Sequence, residues 1–165
     1  MNTLEPQLLE LCQQLAAALR ARGWRMASAE SCTGGLIAAT CTGLSGASDW
    51  FECGFVCYSN AAKSAHLGVS PALIEQHGAV SEPVVRALAE GALWRSLAQV
   101  SVAVSGIAGP LGGSASKPVG TVCLGWASAA GVRSQTLQFE GDRAAVRAAA
   151  VRCALLGLLE QVAVG

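Results

Sequence analysis

The sequence has few charged residues, no excess of either charge and no long apolar run. Charged residues make up 13% of its 165 residues, and 11 Lys and Arg balance 11 Asp and Glu. General nucleic-acid-binding proteins normally carry a basic excess, so the zero net charge argues against nucleic acid as a partner. A membrane-spanning helix needs roughly 18 or more consecutive apolar residues. Arg152 interrupts the longest apolar run near the C-terminus, residues 148–159.

The first ten residues do not resemble an export signal. Residues 1–10 carry two glutamates and no Lys or Arg, unlike the basic start of a secretory signal peptide. We therefore expect a cytoplasmic protein with no membrane partner. Hydrophobic residues make up 52% of the chain, enough to build a core, and the length suits one domain over residues 1–165.

Cysteine is abundant, but its pattern indicates neither disulfides nor a metal site. The chain has seven cysteines, and most lie in apolar runs, where a free thiol behaves as a small hydrophobic group. Without an export signal, a disulfide framework is not expected. No C-x-x-C pair is present, so the spacing predicts no zinc site, and we expect neither a metal nor a cofactor.

Helical and strand-like patterns alternate along the chain. Helical patterns cover residues 8–23, 33–42, 60–67, 71–77, 81–96 and 142–162. Strand-like segments cover residues 24–29, 50–58, 100–104, 119–127 and 133–139. We expect Asn60 and Ser81 to cap the helices that begin there. The alternation predicts an α/β sandwich with a mixed sheet.

Glycine is abundant and proline is scarce, with 19 glycines and 5 prolines. Many of the glycines lie in two segments, 30–35 and 105–113, and each segment follows a predicted strand. Loops at the carboxyl ends of strands are where α/β sheets bind ligands, and glycine lets main-chain N–H groups approach an anion. Neither segment matches the P-loop or the G-x-G-x-x-G motif, so a P-loop kinase and a Rossmann dehydrogenase are not expected. The alternative is a pair of tight turns that only pack the sheet.

The scarcity of lysine draws attention to Lys63 and Lys117, the only two in the chain. Lysine is the basic residue that can lose its proton when it is desolvated. Ser31 lies where a predicted strand turns into a helix, and a serine attacks a carbonyl group only if a base removes its proton. Neither histidine is well placed as that base, so a serine–lysine pair with Tyr58 as a proton relay is the coherent alternative. The plain alternative for Lys63 is a solvent-facing side chain on a helix.

Cys32 is the rival nucleophile, because it is adjacent to Ser31 in the same glycine-rich segment. A cysteine nucleophile can act beside a lysine and a carboxylate, and Glu30 and Lys63 would complete such a set. A thiolate is intrinsically the better attacking group. Ser31 and Cys32 are adjacent at a turn, so their side chains point in different directions. Only one of the two is therefore expected to face the substrate.

Six short motifs occur in the order found in a known family. They are ESCTGG at 30–35, YSN followed by Lys63 at 58–63, GAVSE at 78–82, SGIAGP at 105–110, KPVGTV at 117–122 and GDR followed by Arg147 at 141–147. Over residues 5–160 the chain resembles the C-terminal domain of CinA, and we expect the stand-alone form of that domain. The resemblance implies a three-layer α/β/α sandwich with a mixed, mostly parallel five-stranded sheet.

The resemblance also implies an activity, the hydrolysis of the carboxamide of nicotinamide mononucleotide (NMN). The products are nicotinic acid mononucleotide and ammonia, in pyridine nucleotide salvage, and no metal is needed. By the resemblance, Ser31 is the nucleophile, with Lys63 and Tyr58 as its catalytic partners. We expect substrate contacts from Thr33, Gly34, Gly35, Asn60, Ser105, Gly106, Gly109, Gly112, Gly113 and Arg143. The N–H groups near Thr33–Gly35 would stabilise the oxyanion, and the 105–113 loop and Arg143 would bind the phosphate.

Two other functions stay open at the level of the sequence. One is a non-catalytic nucleotide-binding or regulatory module linked to competence or the DNA damage response. The other is an amidase for a different small carboxamide, although a phosphate-type glycine loop favours a nucleotide. A homodimer is compatible with so apolar a small chain.

Overall fold

The computed structural model describes residues 5–164, which form a five-stranded sheet between two groups of helices. The helices are α1 (Pro6–Arg22), α2 (Leu36–Thr42), α3 (Asn60–Leu67), α4 (Pro71–His77), α5 (Glu82–Trp94) and α6 (Arg143–Val164). The strands are β1 (Met26–Glu30), β2 (Phe51–Val56), β3 (Val100–Gly106), β4 (Thr121–Ser128) and β5 (Gly131–Gln138). A short 3-10 turn, Ala47–Asp49, precedes β2 and was not predicted.

The strand order is β2-β1-β3-β4-β5. β1 pairs in parallel with β2 and with β3, whereas β4 is antiparallel to both of its neighbours. Four of the five strands therefore run in one direction, and the prediction of a mixed, mostly parallel sheet is confirmed.

The core has two parts, one on each face of the sheet. One contains buried residues of α1, α2 and α6 packed on the valines of β3, and the other contains buried residues of α3, α4 and α5. On β3, Val102 faces the first group and Ala103 the second, as expected for successive residues of a strand. These two helical layers and the sheet between them make the three-layer α/β/α sandwich that the family resemblance implies.

Close packing of α5 on the sheet explains one of the glycines. A Cβ atom at Gly125 would lie 2.6 Å from the carbonyl oxygen of Val85, closer than real Cβ contacts. The hydroxyl of Ser101 on β3 donates to the carbonyl oxygen of Ala89 at 2.6 Å, which ties the same helix to the sheet. Small residues on this face therefore allow α5 to approach the strands.

One predicted helix cap is wrong, and the other is right in position but makes no capping hydrogen bond. Ser59, not Asn60, caps α3, because the Ser59 hydroxyl accepts a hydrogen bond from the Ala62 N–H at 3.0 Å. Ser81 does precede α5, but its hydroxyl donates to the carbonyl oxygen of Gly78 at 2.7 Å and caps no N–H of the helix. Both differences arise because a serine or asparagine near a helix start has several local hydrogen-bond partners.

The start of α2 also differs from the prediction, and the reason lies in the backbone. Gly34 and Gly35 have φ values of +59° and +100°, so residues 31–35 form a turn rather than the first turn of a helix. Residues other than glycine rarely adopt such angles. The helix therefore begins at Leu36, three residues later than the helical pattern beginning at residue 33 predicts.

All seven cysteines have free thiols, and five of them are buried. Between residues 5 and 164, no helix is both long enough and apolar enough to cross a membrane.

Candidate active site

A cleft of about 210 Å³ opens where the loops after β1, β2 and β3 meet. Its lining consists of Ser31, Cys32, Tyr58, Asn60, Lys63, Ala79, Val80, Ser105, Gly106, Ala108 and Arg143. β1, β2 and β3 run in parallel, so their carboxyl ends share one edge of the sheet, the place where ligands bind in such folds. Both glycine-rich segments therefore reach a common cleft, as the sequence predicts.

Ser31 is the first residue after β1. Its N–H donates to the carbonyl oxygen of Val104 at 3.1 Å, which extends the pairing of β1 with β3 by one residue. The side chain lines the cleft, and within residues 5–164 its hydroxyl has no hydrogen-bond partner. The hydroxyl is thus held at a sheet edge by its own backbone and is open to a reacting group.

Lys63 is buried, with only 1% of its surface exposed, although it lies on a short helix. Its Nζ donates to the main-chain carbonyl oxygen of Tyr58 at 2.9 Å, and no carboxylate in the described part of the chain pairs with it. Burial lowers the pKa of Lys63, and the nearby thiols of Cys57 and Cys32 only partly oppose this. The solvent-facing alternative is wrong, and the side chain has the environment that a lysine base requires.

Tyr58 lies at the rim of the cleft, with 63% of its surface exposed. Its hydroxyl accepts a long hydrogen bond from Arg143 Nη2 at 3.4 Å. In this conformation the phenol does not bridge Ser31 and Lys63, and the contact of Tyr58 with the lysine is made by its main-chain carbonyl group.

Glu30 is a buried carboxylate with 1% exposure that accepts five hydrogen bonds. The donors are the hydroxyls of Ser28 and Thr33 and the N–H groups of Gly35, Ile37 and Ala38. The carboxylate therefore satisfies the first turn of α2, whose N–H groups have no partner within the helix. It is not hydrogen-bonded to Cys32 or Lys63, so the cysteine–lysine–carboxylate set is not assembled.

Cys32 lines the cleft but is 6% exposed. Burial raises the pKa of its thiol to about 11, although Arg147 and Arg143 act in the opposite direction. The thiolate, not the thiol, is the nucleophile, so at neutral pH this cysteine is a poor competitor of Ser31.

The N–H groups of Gly34 and Gly35 are already paired, contrary to our expectation that they face a substrate. Gly34 donates to the carbonyl oxygen of Ser31 at 3.0 Å, and Gly35 donates to Glu30 at 3.1 Å. Thr33 is fully buried, and its hydroxyl is bound to Glu30 at 2.7 Å. Among the described residues, the N–H groups of Cys32 and Thr33 have no acceptor. The free donors of this turn therefore lie next to Ser31 rather than at the glycines.

The second glycine-rich loop divides into a near and a far part. Ser105 and Gly106 line the cleft, and Gly109 contacts Arg143, whose Nη1 donates to its carbonyl oxygen at 2.9 Å. Gly112 and Gly113 are exposed and do not line the cleft. Of the predicted binding residues on this loop, the structure brings only Ser105 and Gly106 into the cleft, with Asn60 and Arg143 joining from α3 and α6.

Lys117, the other lysine, does not line the cleft. Its Nζ donates to the carbonyl oxygen of His77 at 2.9 Å, so it ties the loop after β3 to the end of α4, just before Ala79 and Val80. These two residues form part of the cleft lining. Lys117 therefore supports one wall of the site from behind.

Arg147 was not predicted as a site residue. Its Nε donates to the carbonyl oxygen of Cys32 at 3.1 Å, and its Nη2 donates to that of Thr33 at 3.0 Å. It lies one helical turn after Arg143, so the two arginines share a face of α6. Within the described part of the chain neither arginine pairs with a carboxylate, which leaves positive charge beside the cleft.

The chain is similar to known proteins over nearly its whole length. Residues 8–162 match the family model of the CinA C-terminal domain. "Nicotinamide-nucleotide amidohydrolase PncC" of Enterobacter agglomerans is 57% identical over 144 residues, which cover 87% of this chain and 88% of that protein. The protein of the same name from Escherichia coli strain K12 is 49% identical over 158 residues, 95% of this chain and 96% of its own.

A solved structure agrees with these matches. The crystal structure of the competence/damage inducible protein CihA from Agrobacterium tumefaciens superposes with a TM-score of 0.94 at 41% identity. The superposition covers 97% of this chain and 98% of that one. The motifs, the fold and the relatives agree, and the chain belongs to the CinA C-terminal domain family.

Proposed function

We propose that this protein hydrolyses the carboxamide of NMN and releases nicotinic acid mononucleotide and ammonia. The observation that carries the proposal is that Ser31 and the buried Lys63 line one cleft at the carboxyl edge of the sheet. The relatives named nicotinamide-nucleotide amidohydrolase, which the chain matches over most of their length, support the choice of substrate.

The first step is attack of Ser31 Oγ on the carboxamide carbon. A lysine acts as a base only in its neutral form, and burial of Lys63 lowers its pKa and so increases that fraction at a given pH. Lys63 takes the proton of the serine directly or through the Tyr58 hydroxyl. The second route requires the exposed tyrosine ring to turn into the cleft, a rotation that surface side chains make within nanoseconds.

The negative charge that develops on the carboxamide oxygen needs hydrogen-bond donors. The unpaired N–H group of Cys32 is the candidate, because Thr33 is fully buried and the N–H groups of Gly34 and Gly35 are bound within the chain. Removal of one such donor in other enzymes lowers kcat by about 10²–10³-fold. Ammonia then leaves with a proton returned by Lys63 or Tyr58, and water releases the acyl group from Ser31.

The size of the cleft suits part of the substrate. Pockets that enclose drug-sized ligands usually measure about 300–1,000 Å³, so a cleft of about 210 Å³ would enclose the pyridine ring but not the whole nucleotide. The ribose phosphate would then lie at the rim, near Arg143 and the Ser105–Gly106 segment. An arginine is suited to this position because its planar group binds phosphate with two parallel hydrogen bonds.

Ammonia release from NMN tests the proposal directly. We expect turnover by the wild type and loss of most activity in Ser31→Ala and Lys63→Ala. Ser116→Ala is the matched control, because its hydroxyl is exposed in the loop after β3 and, within residues 5–164, is hydrogen-bonded only to Ser114. Full activity of Ser31→Ala would remove the serine from the mechanism. Equal turnover of free nicotinamide would instead favour an amidase without nucleotide selectivity.

The homodimer, the cytoplasmic location and the single-domain organisation expected from the sequence stay predictions. Light scattering on the purified protein measures the first of these.

A further inference from the structure

We propose that Glu30 and Arg147 are positioning residues that hold the nucleophile turn, residues 31–35, from its two sides. The inference rests on the proposed function, because it concerns the turn that carries Ser31. Neither side chain lines the cleft, so both would act through the backbone of the turn rather than on the substrate.

Glu30 accepts hydrogen bonds from donor groups of the turn and from N–H groups at the start of α2. Its Oε2 accepts from the Thr33 hydroxyl at 2.7 Å and from the Gly35 N–H at 3.1 Å. The N–H groups of Ile37 and Ala38 donate to the same carboxylate at 2.9 Å each. One buried carboxylate thereby fixes the turn relative to the helix that follows it.

Arg147 donates hydrogen bonds to main-chain carbonyl oxygens of the same turn. It reaches from α6 to the carbonyl oxygens of Cys32 at 3.1 Å and Thr33 at 3.0 Å. A Cβ atom at Gly34 would lie 3.5 Å from its Nη2, so the guanidinium packs against the turn as well as bonding to it. The Glu30 carboxylate and the Arg147 guanidinium thus bind the same turn but form no ion pair with each other.

The hydrogen bonds within the turn leave two of its N–H groups without a partner among the described residues. With Gly34 N–H bound to Ser31 and Gly35 N–H bound to Glu30, only the N–H groups of Cys32 and Thr33 lack a partner among the turn's described contacts. The Thr33 N–H belongs to the peptide group whose carbonyl oxygen accepts from Arg147. A hydrogen bond to a carbonyl group polarises the peptide and strengthens its N–H as a donor. Arg147 therefore both holds the turn and polarises the peptide group between Cys32 and Thr33.

The test compares Arg147→Ala with the matched control Arg152→Ala in NMN hydrolysis. Arg152 lies on the same helix, is exposed and, among the described residues, forms side-chain hydrogen bonds only with Gln7. A displacement of about 1 Å in a catalytic group can lower the rate by about 10²-fold, so we expect kcat of Arg147→Ala to fall by about that factor with KM nearly unchanged. An increase in KM at unchanged kcat would overturn the inference, because it would place Arg147 on the substrate. Wild-type kcat in Arg147→Ala would overturn it as well.

Added guanidinium ion separates a local loss from misfolding. We expect guanidinium to restore part of the activity of Arg147→Ala and to leave Arg152→Ala unchanged. A folded Arg147→Ala protein of low kcat without any rescue by guanidinium or by Arg147→Lys would count against positioning by hydrogen bonds to the turn.

A fluorophosphonate probe, which reacts with activated serines, keeps the inference distinct from the proposed function. The rate at which the probe modifies Ser31 should fall in Arg147→Ala by a factor similar to the fall in kcat. If the wild type is labelled at Ser31 but does not hydrolyse NMN, the proposed function fails while the role of Arg147 can still be measured. Equal labelling rates in wild type and Arg147→Ala would refute the role itself.

Glu30 is tested through coupling. Glu30→Gln puts an amide NH₂ where one of the N–H donors now binds, and Thr33→Val removes only the hydroxyl bonded to the carboxylate. If both charged residues hold one turn, the kcat loss in the double variant Glu30→Gln/Arg147→Ala should be clearly smaller than the product of the two single losses. Should Glu30→Gln fail to fold, Thr33→Val/Arg147→Ala provides the same cycle. Losses that multiply would show that the two residues act independently.

Discussion

Lys63 Nζ donates a hydrogen bond to the main-chain carbonyl oxygen of Tyr58 at 2.9 Å, and not to the hydroxyl of that residue. The same tyrosine thus orients the proposed base through its backbone, while its ring stands at the rim of the cleft beside Arg143. A side-chain substitution at Tyr58 therefore leaves the support of the lysine in place. Substitutions of Lys63, Tyr58, Arg143 and Cys32 should separate the roles of these four residues.

Replacing Lys63 with methionine should abolish activity and stabilise the fold. The folded-state pKa of Lys63 lies below its ordinary value of 10.5, so the folded protein binds fewer protons than the unfolded chain between the two values. Wild-type stability should then rise with pH through this window, whereas that of Lys63→Met should not. The advantage of Lys63→Met in free energy of unfolding should be greatest at or below neutral pH and should shrink towards pH 10.5.

Urea unfolding of both proteins at pH 7 and pH 10 measures this difference. Lys117→Met is the control, because it also removes a lysine that donates to a main-chain carbonyl oxygen. A gap that widens with pH would contradict the lowered pKa of Lys63.

Tyr58→Phe should lower kcat without moving the acidic limb of the pH–rate profile. If the hydroxyl relays the proton, its loss should cost roughly 10²-fold, as for other general acid–base groups. The main-chain carbonyl group that binds Lys63 remains, so the pKa of the base should hardly change. Steady-state kinetics from pH 6 to 10 provide the measurement, and unchanged kcat in Tyr58→Phe would assign proton transfer to Lys63 alone.

Arg143→Ala should weaken NMN binding through the phosphate. Charged hydrogen bonds contribute about 1.5–3 kcal/mol, so we expect KM for NMN to rise by roughly 10–100-fold. Turnover of nicotinamide riboside, which lacks the phosphate, should change much less. A similar loss with both substrates would mean that Arg143 acts through its side-chain hydrogen bonds to Tyr58 and Gly109 rather than on the phosphate.

Cys32→Ala should retain most of the activity. The thiol is buried and its pKa is raised to about 11, so it is protonated at neutral pH and is not the expected nucleophile. The N–H group of residue 32, the proposed oxyanion donor, is kept by alanine. The kcat of Cys32→Ala is compared with that of Ser31→Ala, and the opposite order of losses would reverse the assignment of the nucleophile.

The local sequence pattern predicts the helices and strands and the position of the cleft. The sequence periods predicted α3 and α4 with the bounds that the structure has, because a short amphipathic segment between a polar start and a glycine has few alternatives. The two glycine-rich loops were placed correctly at one sheet edge, since parallel strands bring their carboxyl ends together. The caps differ from the prediction, because the Ser59 hydroxyl rather than Asn60 accepts from the Ala62 N–H and the Ser81 hydroxyl donates to the Gly78 carbonyl oxygen.

Packing between segments that are distant in sequence determines the surroundings of the site residues. The amino-acid sequence alone determines that this chain is an α/β protein with a serine after a strand and a scarce lysine on a short helix. Only the tertiary structure buries Lys63, directs the Glu30 carboxylate to α2 and brings Arg147 to the carbonyl groups of Cys32 and Thr33, 115 and 114 residues away in sequence. The pKa of a lysine and the partners of a carboxylate depend on which atoms surround them in space, and no local pattern contains that information.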